Sequence, residues 1–177
     1  MQIRRVVTGH SGDGKAIVAS DSEIDGFRPQ LFPSMEFHAL WGGDKAPTYP
    51  DNGAPLPQQG WFPPLGGFRF LAVTLPPASD EAPEIVDESA AMAELEAFAP
   101  GLLAVMEPGS AGMHTTDSID FLYVISGEVI MALDDGAEVH LAAGDTLVQS
   151  GTRHAWRNPG QEPCRLIAVQ IGANRAG

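Results

Sequence analysis

The chain has 177 residues, 44% of them apolar, and a formal net charge of −13. This length suits one domain with a substantial core, and the acidic balance argues against nucleic acid or anionic membranes, which need a basic stripe. Cys164 is the only cysteine, so no internal disulfide can form. The opening Met1-Gln-Ile-Arg-Arg lacks the apolar stretch of a secretory signal and no run approaches transmembrane length, so the expected compartment is the cytoplasm.

In chain order, residues 3–8 and 16–20 are β-rich and flank a Gly/Ser/Asp turn, which predicts a hairpin. A further strand is expected over 35–41. Residues 46–64 then carry Pro47, Pro50, Pro55, Pro57, Pro63 and Pro64. Each proline fixes its φ and removes a donor, so this stretch is neither a central strand nor a helix. It reads as an extended surface connector, or as a lid or dimer arm anchored by Trp61 and Phe62.

Residues 68–75 read as another strand. Residues 80–96 hold seven carboxylates and no basic residue. They read as a solvated acidic segment, because the regular Asp/Asn-Gly spacing of a calcium loop is missing. The one helix is expected from Asp87 to Phe98, capped by Asp87, with Met92, Leu95 and Phe98 on one face and Pro100-Gly101 as the stop. From Gly101 onward strands are expected at 102–106, 121–125, 129–133, 139–141, 146–149 and 165–171. Ser126-Gly127, Asp134-Asp135-Gly136 and Gly144-Asp145 supply the turns. Cys164 reads as a small buried strand residue. The pattern predicts an all-β sandwich or small barrel without internal repeat.

Two segments carry the functional signal. The first reads His114-Thr-Thr116-Asp-Ser118-Ile-Asp120, followed by Gly127. The second reads Gly144, Gly151, His154 and Asn158 at spacings of x6, x2 and x3. They resemble the paired motifs of the cupin superfamily, G-x5-H-x-H-x3/4-E-x6-G and G-x5-P-x-G-x2-H-x3-N. His114 fits the first histidine, Thr116 stands where the second belongs, and Asp120 stands for the glutamate. Gly109 is one residue closer to His114 than the pattern asks. The stretch from Gly144 to Gly151 is one residue short, with Ser150 at the proline position counted from Gly144. The resemblance covers residues 101–171 and implies a double-stranded β-helix, or jelly-roll, barrel with extra N-terminal strands and one short helix. Residues 1–100 would pack on a barrel core at 101–177 as one structural domain, and the resemblance implies a homodimer.

It also implies what the candidate residues do. His114, Thr116, Ser118 and Asp120 share parity, so an extended stretch turns all four to one face, the face that lines a cupin barrel. His154 arrives on a neighbouring strand. His114, Asp120 and His154 then form a two-histidine, one-carboxylate set suited to iron, manganese, nickel or zinc. Thr116 and Ser118 would orient substrate or water, and Tyr123 or Gln149 would supply a hydrogen bond. Trp156 would wall the pocket, Asn158 would tie a loop, and Arg153 and Arg157 are surface residues or a clamp for a substrate carboxylate. Among the remaining histidines, only His38 could approach a pocket, and the expectation is against it.

The expected function is a metal-assisted isomerase, decarboxylase, lyase or dioxygenase. Its substrate would be a small oxygenated organic acid or polyketide-like metabolite. Two alternatives stand beside it. One is a binding cupin that has lost its metal through Thr116. The other is a metal-free lyase or isomerase using the carboxylate and imidazoles as acid and base.

Overall fold

The computed structural model describes residues 2–79 and 85–176. Residues 80–84 of the acidic segment lie outside the described residues. The protein is all-β with one helix, arranged as a cupin-type jelly roll. The strands are β1 (Ile3–His10), β2 (Ala16–Ile24), β3 (Glu36–Gly43), β4 (Phe68–Leu75) and β5 (Ser118–Ser126). They continue with β6 (Glu128–Ala132), β7 (Glu138–Ala142), β8 (Thr146–Ser150), β9 (Ala155–Arg157) and β10 (Cys164–Gly172), and the helix α1 is Glu88–Phe98.

β1 and β2 form a separate hairpin. A five-stranded sheet has the order β3-β4-β10-β5-β8, and a three-stranded sheet has the order β7-β6-β9. The larger sheet therefore crosses residue 101 and takes two of its strands from the first hundred residues. Residues 102–106, expected as a strand, form a 3-10 turn at Leu103–Val105 instead. The strand expected around His154 is the three-residue β9, which begins one residue after that histidine.

Alternation decides which side chains face inward. β10 turns Cys164, Leu166, Ala168 and Gln170 to the interior, and β5 turns Ser118, Asp120 and Val124 the same way. Leu75, Val124, Val129, Leu141, Cys164 and Leu166 make one apolar cluster between the two sheets. Burial pushes the Cys164 thiol up to about 11, consistent with a packed strand residue. Gly127 makes the β5–β6 turn at φ 76°, where a Cβ would lie 2.8 Å from Cys164 Cα. Glycine is required there on both counts.

The cross-strand registers place one polar row on the inner face. Arg69 on β4 is level with Gln170 on β10, Gln170 with Asp120 on β5, and Asp120 with Gln149 on β8. All four are buried. The flanking row, Leu71, Ala168, Leu122 and Leu147, is apolar. The barrel is thus polar across one level and greasy beyond it.

The helix begins where expected, with the Asp87 carboxylate accepting from the Ala90 N–H at 3.0 Å. Leu95, Ala91 and Ala99 are its buried residues, whereas Met92 is exposed, a correction to the expected face. Leu95 and Ala99 join Phe37, Trp61 and Leu71 in a second cluster. Trp61 meets Phe37 edge-on with ring centroids 5.7 Å apart. The proline-rich connector is therefore anchored at Trp61 onto the barrel.

Candidate functional site

A cavity of about 420 Å³ opens between the sheets, within the usual range for small-molecule sites. Its walls are mostly apolar: Phe37, Trp61, Phe62, Leu71, Leu122 and Trp156 are among them. Its polar lining consists of His114, Thr116, Asp120, His154 and Gln170. Phe62 and Trp61 come from the proline-rich connector, so that segment is a cavity wall.

His114 and His154 meet across an isolated antiparallel bridge, each backbone N–H donating to the other's carbonyl at 2.9 Å. Their rings lie 4.3 Å apart, centroid to centroid. Gly151 shapes the approach to His154 at φ 60°, with Thr116 O and Ser118 O only 3.2 and 3.3 Å from where a Cβ would sit. Nδ1 of His114 lies 3.0 Å from the Gly112 carbonyl oxygen, which can only accept. Nδ1 therefore carries the hydrogen, and in the neutral ring Nε2 keeps a bare lone pair.

His154 is buried, with Nδ1 2.9 Å from Thr152 O and 2.8 Å from Gln149 Nε2. The Gln149 amide is oriented by Gly151 N–H donating to Oε1 and by its own Nε2 donating to Thr152 O. One of the two His154 contacts is a hydrogen bond and the other a close neighbour, because a single ring nitrogen either donates or accepts. Burial, reinforced by the nearby His114, lowers the His154 pKa to about 4, so the ring is neutral at physiological pH.

On β5 a chain of hydroxyls leads to the carboxylate. Ser118 Oγ donates to Asp120 Oδ1 at 2.6 Å, and Gln170 Nε2 donates to Asp120 Oδ2 at 2.9 Å. A serine has one hydroxyl hydrogen, so the 3.0 Å contact between Thr116 and Ser118 runs from Thr116 O–H to Ser118 Oγ. Burial raises the Asp120 pKa, opposed by these two hydrogen bonds and by His114.

The expected residues thus divide. Thr116, Asp120, His114 and His154 line one cavity. Ser118 and Gln149 are buried behind it as supports. Tyr123 does not reach it: it has odd parity on β5 and lies 45% exposed on the outer face. Arg153 is held outside by Glu107 and Asp134, and Arg157 by Glu138, so neither clamps a ligand in the cavity. Asn158 ties a loop, donating to Leu75 O and Glu162 O and accepting from Gly160 N–H. Trp156 walls the cavity, and His38 is buried outside it.

Two buried polar residues near the site were missed: Gln170, which lines the cavity, and Arg69, which holds the connector. Each was marked by a polar side chain at an inward position of an otherwise apolar strand.

Residues 102–170 match the family model described as a cupin domain. The chain carries a cupin domain. Phomopsin biosynthesis cluster protein D of Diaporthe leptostromiformis is 42% identical over 66 residues, 34% of this chain and 35% of that protein. The stretch thus spans about a third of that relative. A cupin-domain-containing oxidoreductase of Hypocrea virens is 24% identical over 173 residues, 94% of this chain and 74% of that one. A Cupin 2 conserved barrel domain protein from Salinispora arenicola is 17% identical with a TM-score of 0.43, covering 82% of each chain.

Cupins commonly bind a metal, and the resemblance assigns one here to His114, Asp120 and His154. The donor set does not fit that assignment. Thr116 replaces an imidazole and is engaged with Ser118. Aspartate is a methylene shorter than glutamate, which draws the Asp120 carboxylate back from the position a glutamate would reach. Among the described residues no group of three or more His, Cys, Asp or Glu side chains is placed to hold one ion.

Proposed function

We propose that this cupin is a small-molecule enzyme of isomerase or lyase type whose own side chains act as base and acid on a largely apolar metabolite. The observation that carries the reading is the cavity itself. A bare imidazole nitrogen on His114 and the Thr116–Ser118–Asp120 chain both open onto one apolar chamber. An imidazole Nε2 can take a proton from a carbon acid. Asp120, with its pKa raised by burial, can exchange one through the hydroxyls of Ser118 and Thr116. Low polarity around them strengthens both interactions. The Diaporthe relative, named a biosynthesis cluster protein, supports a place in small-molecule biosynthesis.

The same reading takes the protein as a homodimer. Phe121, Tyr123, Ile125, Val148 and Ile171 stand exposed on the outer face of the five-stranded sheet, which supports a second copy covering them.

The test is turnover of 5-nitrobenzisoxazole, a generic probe for a base in an apolar pocket. The base removes the ring C–H proton, its electron pair forms the nitrile, and the N–O bond breaks to release a cyanophenolate. Saturable turnover that survives a chelator and falls at least about tenfold in His114→Ala and in Asp120→Asn is expected. Turnover no faster than free imidazole, or unchanged in both variants, overturns the catalytic reading. The alternative of a binding-only cupin then stands if the probe still occupies the cavity.

A further inference from the structure

The hydroxyl hydrogens and the His114 ring hydrogen on the polar strip of the cavity are already given to the protein. Thr116 gives its hydroxyl hydrogen to Ser118, Ser118 gives its own to Asp120, and His114 gives its Nδ1–H to Gly112 O. The lone pairs remain. Each carboxylate oxygen of Asp120 accepts one hydrogen bond and has capacity for another. Thr116 Oγ1 and His114 Nε2 are likewise acceptors.

Gln170 Nε2 gives one of its two hydrogens to Asp120, so this residue adds one amide N–H to a strip otherwise made of acceptors. Its amide is oriented by Asp120, because the reverse orientation would press Oε1 against a carboxylate oxygen. Its Oε1 is a buried acceptor without a partner. Among the described residues no lysine or arginine lines the cavity, and Arg153, Arg157 and Arg69 are all paired elsewhere.

From this we infer that the cavity selects a ligand that donates hydrogen bonds, an apolar body bearing a hydroxyl or an amine, and rejects a carboxylate. The inference rests on the cavity being the ligand site and names the class it takes. A carboxylate would enter without a cationic partner and face the carboxylate of Asp120. A phenol or amine of the same shape places its hydrogen on Asp120, Thr116 or His114 and leaves none of these groups worse satisfied than before. Of the two substrate classes expected from the sequence, the inference favours the polyketide-like metabolite over the organic acid.

The experiment is binding of a matched set to the intact protein by ligand-observed NMR and calorimetry: 2-naphthol, 2-naphthylamine, 2-methoxynaphthalene and 2-naphthoate. The naphthalene body is constant and only the polar group changes. The naphthol and the amine should bind about tenfold tighter than the methyl ether, the effect of one hydrogen bond to an acceptor of this kind. Naphthoate should bind weakest. Asp120→Asn supplies an N–H and should narrow the gap between naphthol and naphthoate, and Thr116→Val, a smaller change in shape, should weaken the naphthol and the amine but not the ether.

Equal binding of the naphthol and its ether, or tightest binding of naphthoate, overturns the donor rule while leaving the cavity as the site. Failure of all four to bind overturns the cavity as a ligand site, and the donor rule with it.

Discussion

His154 provides a test that reads directly in stability. Its pKa falls from an ordinary 6.5 to about 4 because the ring is buried and lies beside His114. The unfolded chain takes up a proton near pH 6.5, while the folded chain resists until about pH 4. Stabilisation from the neutral ring is therefore complete above pH 6.5 and is lost as pH falls toward 4. The gap corresponds to about 3 kcal/mol, at about 1.4 kcal/mol per pH unit. His154→Asn keeps a short polar side chain but removes the titration.

Urea unfolding followed by tryptophan fluorescence, at steps between about pH 7.5 and pH 4, gives both profiles. Carboxylates common to the two proteins cancel in the difference. Wild type should lose about 3 kcal/mol more than the variant over this interval. Parallel profiles would show that His154 is not held neutral by the fold, and the acceptor character of the site would lose one of its supports.

Two other outcomes follow from packing. Arg69 is 2% exposed and gathers the carbonyls of Gly43, Gly60, Trp61 and Phe68 together with the Asp44 carboxylate at 2.6 Å. Arg69→Met should cost about 3–5 kcal/mol in urea unfolding by stranding Asp44 and those carbonyls, and it should weaken naphthol binding by loosening Trp61 and Phe62. A loss below about 1 kcal/mol would mean that the connector is held by its aromatic contacts alone. Sedimentation velocity should find a dimer that Phe121→Glu combined with Val148→Lys converts to monomer with unchanged far-ultraviolet circular dichroism. A monomeric wild type would remove the second copy from the outer sheet face.

Most of the fold was legible because alternation and turn chemistry are local. The stretch from residue 118 to 126 alternates cleanly, and Ser126-Gly127 and Asp134-Asp135-Gly136 announce their turns. The parity argument that placed His114, Thr116, Ser118 and Asp120 on one face matches the cavity lining for all but Ser118, which lies buried behind it. The same argument, applied to Tyr123, would have sent it outside, where it lies.

What escaped depends on register between distant strands. Gln170 meets Asp120 only because β10 pairs with β5 at that step, fifty residues apart in sequence. Met92 looked like a core residue by helical spacing, but the sheet accepts the side of α1 that carries Ala91 and Leu95. The residues 102–106 are apolar enough for a strand yet turn in a 3-10 helix before Met106 bridges to His114. Motif spacing located the ligand candidates, but it could not reveal that Ser118 and Gln170 each donate to an Asp120 oxygen.

The most direct test of a self-sufficient acid–base pocket is calorimetric titration of chelator-treated protein with Mn²⁺, Fe²⁺, Ni²⁺ and Zn²⁺ under anaerobic conditions. No stoichiometric binding tighter than about micromolar is expected, because Asp120 is shorter than a glutamate and Thr116 is no ligand. One-to-one binding far tighter than that, abolished in both Asp120→Ala and His154→Ala, would establish a three-ligand metal centre and contradict the metal-free pocket.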